Sequence, residues 1–365
     1  MADRLHVGTR KGLFELARRK GGWEVADAHF LGDPVSAVLA EGGHVYAALD
    51  LGHFGAKLWR RDKAAKADGA WTELAAPAFP PKPEDAKDDP HPWSLGKIWA
   101  LEPGGVAGRI WAGTMPGGLF RSDDAGVSWS LVDSFWRMPE RRKWNGVAGG
   151  EQPGLSSVLV AAGNPGNIRV GVSTGGVWAS DDEGKSWRLL GKGLYAEYMP
   201  PELREDPISQ DVHQLARCAA KPAVMWCQHH NGVFRSEDAG ATWRDLVAIR
   251  PAKFGFAVAA HPRDPNTAWF VPAVKDEKRI PVDGQLVVAR TRDGGKSFDV
   301  LRKGLPQRHA YDLVWRHALD VDESGDRLAF GSTNGGLWIS EDGGDSWSAP
   351  EARLPPISVV RFASA

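Results

Sequence analysis

The sequence predicts an all-β fold, a seven-bladed β-propeller with four-stranded antiparallel blades, on three observations. The first is a repeat. The pattern S/T-x-D-x-G-x-S/T-W/F occurs at 122–129, 180–187, 236–243, 291–298 and 340–347, with starts 58, 56, 55 and 49 residues apart. Self-similarity at a near-fixed period marks a repeat architecture. The second is the strand pattern around each copy. Hairpins such as RVGVSTGGVWA (169–179) and RLAFGSTNGGLWI (327–339) lead into the boxes. A short strand follows each box, and after a longer loop comes one more apolar strand, at 155–162, 211–219, 254–260 and 312–321. Four antiparallel strands per repeat make a propeller blade. The third observation is at the ends. The N-terminal copy lacks an inner strand, and ISVVRF (357–362) is a surplus one. Shared in one blade, they would close the ring and remove its sheet edges.

The blade count rests on the aromatic that closes each copy. Five boxes end in Trp129, Trp187, Trp243, Phe298 and Trp347. Degenerate copies near 14–23 and 59–71 end in Trp23 and Trp71, which makes seven. The whole chain, 1–365, therefore reads as one propeller domain.

Each box reads as a turn rather than a catalytic carboxylate pair, because chemistry is not needed five times at regular spacing. Gly126 and its counterparts tolerate positive φ. Asp124 and its counterparts can accept backbone N–H groups, as in Asx-turns. The closing aromatic is an apolar anchor between neighbouring blades.

Composition bounds the function. The 365 residues are 42% hydrophobic and 25% charged, with a net charge of −1. No basic excess exists to draw nucleic acid or an anionic membrane. No apolar run approaches the ~18–20 residues of a membrane helix. The start, MADRLHVGTRKGLFEL, lacks the apolar core of a signal peptide, so a cytoplasmic location is expected. Two cysteines, Cys218 and Cys227, fit reduced thiols better than a disulfide scaffold.

The boxes resemble the Asp-box, or BNR, repeats of the sialidase-like propeller superfamily, and the resemblance covers nearly the whole chain. That group includes sialidases, sortilin-type receptor domains, xyloglucan-degrading enzymes and photosystem II assembly factors. The resemblance implies the fold but leaves the function open, since one fold carries many functions. A true sialidase would have six blades and an R-I-P motif near the N-terminus. Here R-I-P stands late, at Arg279-Ile280-Pro281, and the blades number seven.

Candidate chemistry lies on the face opposite the boxes, where the loops between blades converge on the axis. Long loops at 75–97, 133–154, 191–210 and 271–284 are rich in proline and aromatics, which predicts ordered lids over an axial pocket. Asp211 and His213 are two apart at the start of an inner strand and share a face. His229 and His230 replace small turn residues in CQHHNG, and such departures from a repeat are informative. These four are the candidate catalytic cluster, with Tyr311 as a further candidate nucleophile or orienting group. Imidazole with carboxylate also suits a divalent metal such as Zn, Fe or Mn, with His213, His229 and His230 as candidate ligands. Substrate contacts are expected from Arg279, Arg316, Asp276 and Glu277, and from Glu151, Tyr198 and His91 in the other loops. The expected function is a hydrolase or lyase acting on a small polar, carbohydrate-like substrate. The alternative is a non-enzymatic scaffold that binds a protein partner on the same face.

Overall fold

The computed structural model describes residues 1–63, 70–146 and 152–363, and it is the predicted ring of seven antiparallel blades. Each of blades 2–6 runs outward from an inner strand at the axis. The inner strands are Val35–Glu41, Lys97–Pro103, Leu155–Ala161, Val212–Arg217 and Phe254–Ala260. Blade 7 is built on Leu319–Val321, Leu328–Gly331 and Leu337–Ser340, and its outer edge is the bridge between Ile339 and Ser348. Its inner strand is shorter than the 312–321 expected. Residues 312–318 turn instead, with Ala318 N–H donating to the Trp315 carbonyl, so this blade reaches the axis as a loop.

The ends meet as the sequence implies. Ile357–Phe362 pairs antiparallel with Arg4–Thr9, placing Leu5 opposite Phe362 and Val7 opposite Val360. Ile357, Val359, Val360 and Phe362 are all buried, so the C-terminal strand is the innermost strand of blade 1.

The five boxes are one turn repeated. In each, the first hydroxyl donates to the aspartate at 2.7 to 3.0 Å. That hydroxyl oxygen also accepts the glycine N–H at 2.8 to 2.9 Å. The aspartate accepts the N–H and the hydroxyl of the residue before the aromatic, as Thr242 does to Asp238 at 2.8 and 2.6 Å. The box glycines sit at φ between 83° and 96°. Residues one earlier are left-handed too. Ala125, Glu183 and Ala239 have φ of 57°, 62° and 59°, where Gly294 and Gly343 serve in the other two boxes. A residue with a Cβ is strained there.

Closing aromatics pack between blades. Trp243 joins Val177, Val212 and Met225 from blades 4 and 5, and Trp347 joins the cluster linking blades 6, 7 and 1. Trp129, Trp187, Phe298 and Trp71 pack at the edges of four further clusters. Cys218 and Cys227 are both free and buried, and they lie in different clusters. No helix among the described residues is long and apolar enough to cross a membrane.

One irregularity recurs and positions the site. In blades 1–6 the register shifts once near the start of the inner strand, skipping Ser358, Ser36, Trp99, Ser156, His213 and, in blade 6, Phe256 and Ala257. A bulged residue has no ladder partner, and the bulge re-aims its side chain.

Candidate functional site

Those bulges line a cavity of about 630 Å³ on the axis, at the face opposite the boxes. All seven blades contribute. Ser36, Trp99, His213, Phe256 and Ser358 come from bulges, and Trp315, Arg316 and His317 from the loop that replaces the inner strand of blade 7. His317 in the lining reaches across the ring, its Nε2 lying 2.8 Å from the Ser156 carbonyl of blade 4. Burial pushes this imidazole down to about 3, so it is neutral and donates that proton. Outside the lining, Arg361 Nη2 meets Glu102 Oε1 at 2.5 Å, between blades 1 and 3.

The cluster stands in the wall formed by blade 5. Asp211 Oδ2 lies 3.4 Å from His213 Nε2 and 3.3 Å from His230 Nδ1. Asp211 Oδ1 takes the Ser173 hydroxyl at 3.4 Å. His213 Nδ1 is 2.6 Å from the Gly255 carbonyl, and its ring stacks on Phe256 at 4.4 Å. His230 lies edge-on to Phe254 at 5.7 Å and to Tyr198 at 5.0 Å. Burial alone would raise the Asp211 carboxyl, but His213, His230 and Arg316 outweigh it and hold the group well below the ordinary range. Burial lowers His213 despite Asp211. Burial also opposes the charged form of His230, but there Asp211 wins and the group is raised.

Cations face this cluster. The Arg316 guanidinium lies 5.0 Å from the ring centres of both Trp99 and Phe256. Arg279 sits over the same Phe256 at 5.4 Å and pairs with Asp276 at 2.6 Å. Arg10 and Lys97 line other parts of the wall. Cations held over aromatic faces suit an oxygen-rich or anionic ligand.

The structure brings together Asp211, His213, His230, Asp276, Arg279 and Arg316. Other expected residues stand apart. His229 is fully buried and edge-on to Phe234, its Nδ1 accepting the Asn231 N–H at 3.1 Å, so it turns away from the cavity that His230 faces. Burial takes it down to about 3. Tyr311 is exposed and outside the lining, and Glu277 is exposed and paired with Lys275. His91 is buried between Gln152 and the Arg141 carbonyl. Tyr198 reaches the cluster through His230, and its hydroxyl donates to the Ser209 carbonyl. Glu151 lies outside the described residues.

Among the described residues of the four long loops, the 271–284 loop lines the cavity with Asp276 and Arg279, and 75–97 reaches it with its last residue, Lys97. Otherwise the described parts of 75–97 and 133–154 lock onto each other. Buried Asp89 accepts from Trp93 and Arg141, and Arg141 lies over Trp136 at 3.7 Å. Trp99, Phe256, Trp315 and His317 are lining residues that the sequence reading missed.

Neither a family model nor a curated protein matches the chain. Solved structures match its fold. An ancestral GH74 enzyme aligns with a TM-score of 0.57 at 16% identity, covering 84% of this chain and 36% of that one. The chain thus spans about a third of that enzyme's length. YCF48 from Cyanidioschyzon merolae aligns at 0.54 and 12% identity, covering 89% of this chain and 87% of that one. YCF48 bound to a D1 peptide aligns at 0.51 and 14% identity, covering 86% and 81%. At these identities the likeness carries the propeller fold alone.

Proposed function

We propose that this chain is an Asp-box propeller enzyme, a hydrolase or lyase, with its active site in the axial cavity and a small, oxygen-rich, anionic substrate. The observation that carries this reading is the Asp211 carboxylate held between His213 and His230 in the wall of a cavity that also presents Arg279 and Arg316. The Asp211–His213–His230 cluster is the group that serves the reacting bond, and the two arginines hold the substrate's anionic or oxygen-rich part. Ser173 and Gly255 fix the orientation of Asp211 and His213. A concave cavity of about 630 Å³ lined by convergent polar groups suits a small molecule better than a flat protein partner.

The test is a panel of glycosides, uronides and small carboxylate esters, assayed with wild type and with Arg316→Ala and His230→Ala. Turnover of one class by wild type is expected. Arg316→Ala should raise KM and His230→Ala should lower kcat at least about 100-fold. No turnover, together with stable capture of a peptide on this face, would replace the enzyme by a binding scaffold.

A further inference from the structure

Three side chains converge on one point of the cavity wall. His213 Nδ1 faces the Gly255 carbonyl at 2.6 Å, and a carbonyl only accepts, so Nδ1 carries a proton and Nε2 is the ring nitrogen turned to Asp211. His213 Nε2 lies 3.4 Å from Asp211 Oδ2, and His230 Nδ1 lies 3.3 Å from the same oxygen. One potential ligand atom from each of the three side chains converges, all within 4.8 Å of one another. Two imidazole nitrogens and a carboxylate oxygen gathered in this way form a ligand set for a divalent transition-metal ion.

The spacing fits a metal ion. An ion bound at about 2.0–2.2 Å to imidazole nitrogen and carboxylate oxygen sets tetrahedral neighbours about 3.3–3.6 Å apart. The two measured edges are 3.3 and 3.4 Å. The outer shell fits as well. Ligating imidazoles commonly donate their second N–H to a backbone carbonyl, as His213 does to Gly255, and ligating carboxylates are hydrogen-bonded in turn, as Asp211 is by Ser173. All three side chains line the axial cavity, so a fourth coordination position opens into it.

We infer that Asp211, His213 and His230 are the three protein ligands of one divalent transition-metal ion, with zinc as the probe ion for a set of two imidazoles and a carboxylate, and with the open position facing the axial cavity. His229 is not a ligand, since its Nδ1 is taken by the Asn231 N–H and its ring packs on Phe234. Three protein ligands with an open fourth position is the arrangement of catalytic rather than structural zinc. The ligand set stands on its own geometry. Its use in catalysis rests on the reading of the cavity as an active site, where the ion would polarise a substrate oxygen or a bound water.

Chelator-treated protein, titrated with Zn²⁺ by calorimetry and with Co²⁺ by visible absorption, tests the site without any substrate. One ion per chain is expected, with the intense bands of four-coordinate cobalt. His213→Ala and His230→Ala should each weaken Zn²⁺ binding by about 100-fold or more. His230 is partly buried and His213 buried, so metal-free melting curves establish that both variants keep the fold. No stoichiometric Zn²⁺ binding by wild type, or equal binding by folded variants, overturns the site. Turnover of a panel substrate by metal-free protein overturns the ion's part in catalysis and leaves the enzyme reading standing. Stoichiometric zinc without turnover supports the site and removes the enzyme reading.

Discussion

Asp238 and Asp211 are the same residue type on opposite faces of one blade, and they do different work. Asp238 sits in a box turn, where local donors from Ser236 and Thr242 satisfy it. Every one of its contacts recurs in four other blades. Asp211 is buried at the axis, and its partners, His213 and His230, occur in this blade alone. The repeated aspartate builds the ring. The unrepeated one faces the cavity. In a repeat protein, structure is written in what recurs and chemistry in what departs from it.

Breaking the recurring part should cost most. Deleting 356–365 removes the inner strand of blade 1 and exposes its partners along Arg4–Thr9. Four buried apolar side chains are lost at roughly 1.5–3 kcal/mol each, so the melting transition should broaden or fall below 37 °C. An unchanged transition would refute closure by the shared blade.

Acid probes a second contact that holds the ring, the packing of blade 1 on blade 2. Glu15 is buried with His6 and Arg61. Burial opposes its charge, but those partners bring it from 4.5 down to about 2. A depressed carboxyl stabilises the fold above its unfolded value and loses that contribution as pH falls from 4.5 through about 2. The box residues Asp124 and Asp293, held by their own turn donors at about 2, add to the same loss. Glu15 accounts for on the order of 3 kcal/mol of the fall. Urea midpoints across that window should drop steeply for wild type and less for Glu15→Gln. Equal slopes would show that the ion pair is inert.

The smallest effect sharpens the box itself. Ala239 is left-handed at φ 59°, where Gly294 and Gly343 stand in two other boxes. Ala239→Gly should stabilise by up to about 1 kcal/mol, read as a higher urea midpoint. A loss would mean that the Ala239 methyl packs favourably.

The same contrast explains what could be read in advance. The boxes, the seven closing aromatics and the shared blade were legible because each recurs or completes something that recurs. Asp211, His213 and His230 were legible as departures. The pair His229–His230 was half right, since adjacent residues at a strand end face opposite ways and only one can reach the axis. Trp99 and Phe256 were hidden because a bulge is a property of pairing, and no residue type announces it. Arg316 was found as a polar residue near an inner strand, but His317 and Trp315 depend on that strand starting late, at Leu319. The loops 75–97 and 133–154 promised lids by composition. Their aromatics instead serve a buried Asp89–Arg141 pair on the flank of the ring.

The two aspartates also give the most direct test. Zn²⁺ titration of Asp238→Ala and Asp211→Asn, side by side with wild type, separates fold from site. Asp238→Ala should lose about 1–3 kcal/mol of stability yet bind one ion as wild type does. Asp211→Asn should stay folded and bind none. If both bind alike, or if the box variant is the one that loses the ion, the division between repeated structure and unrepeated chemistry is wrong.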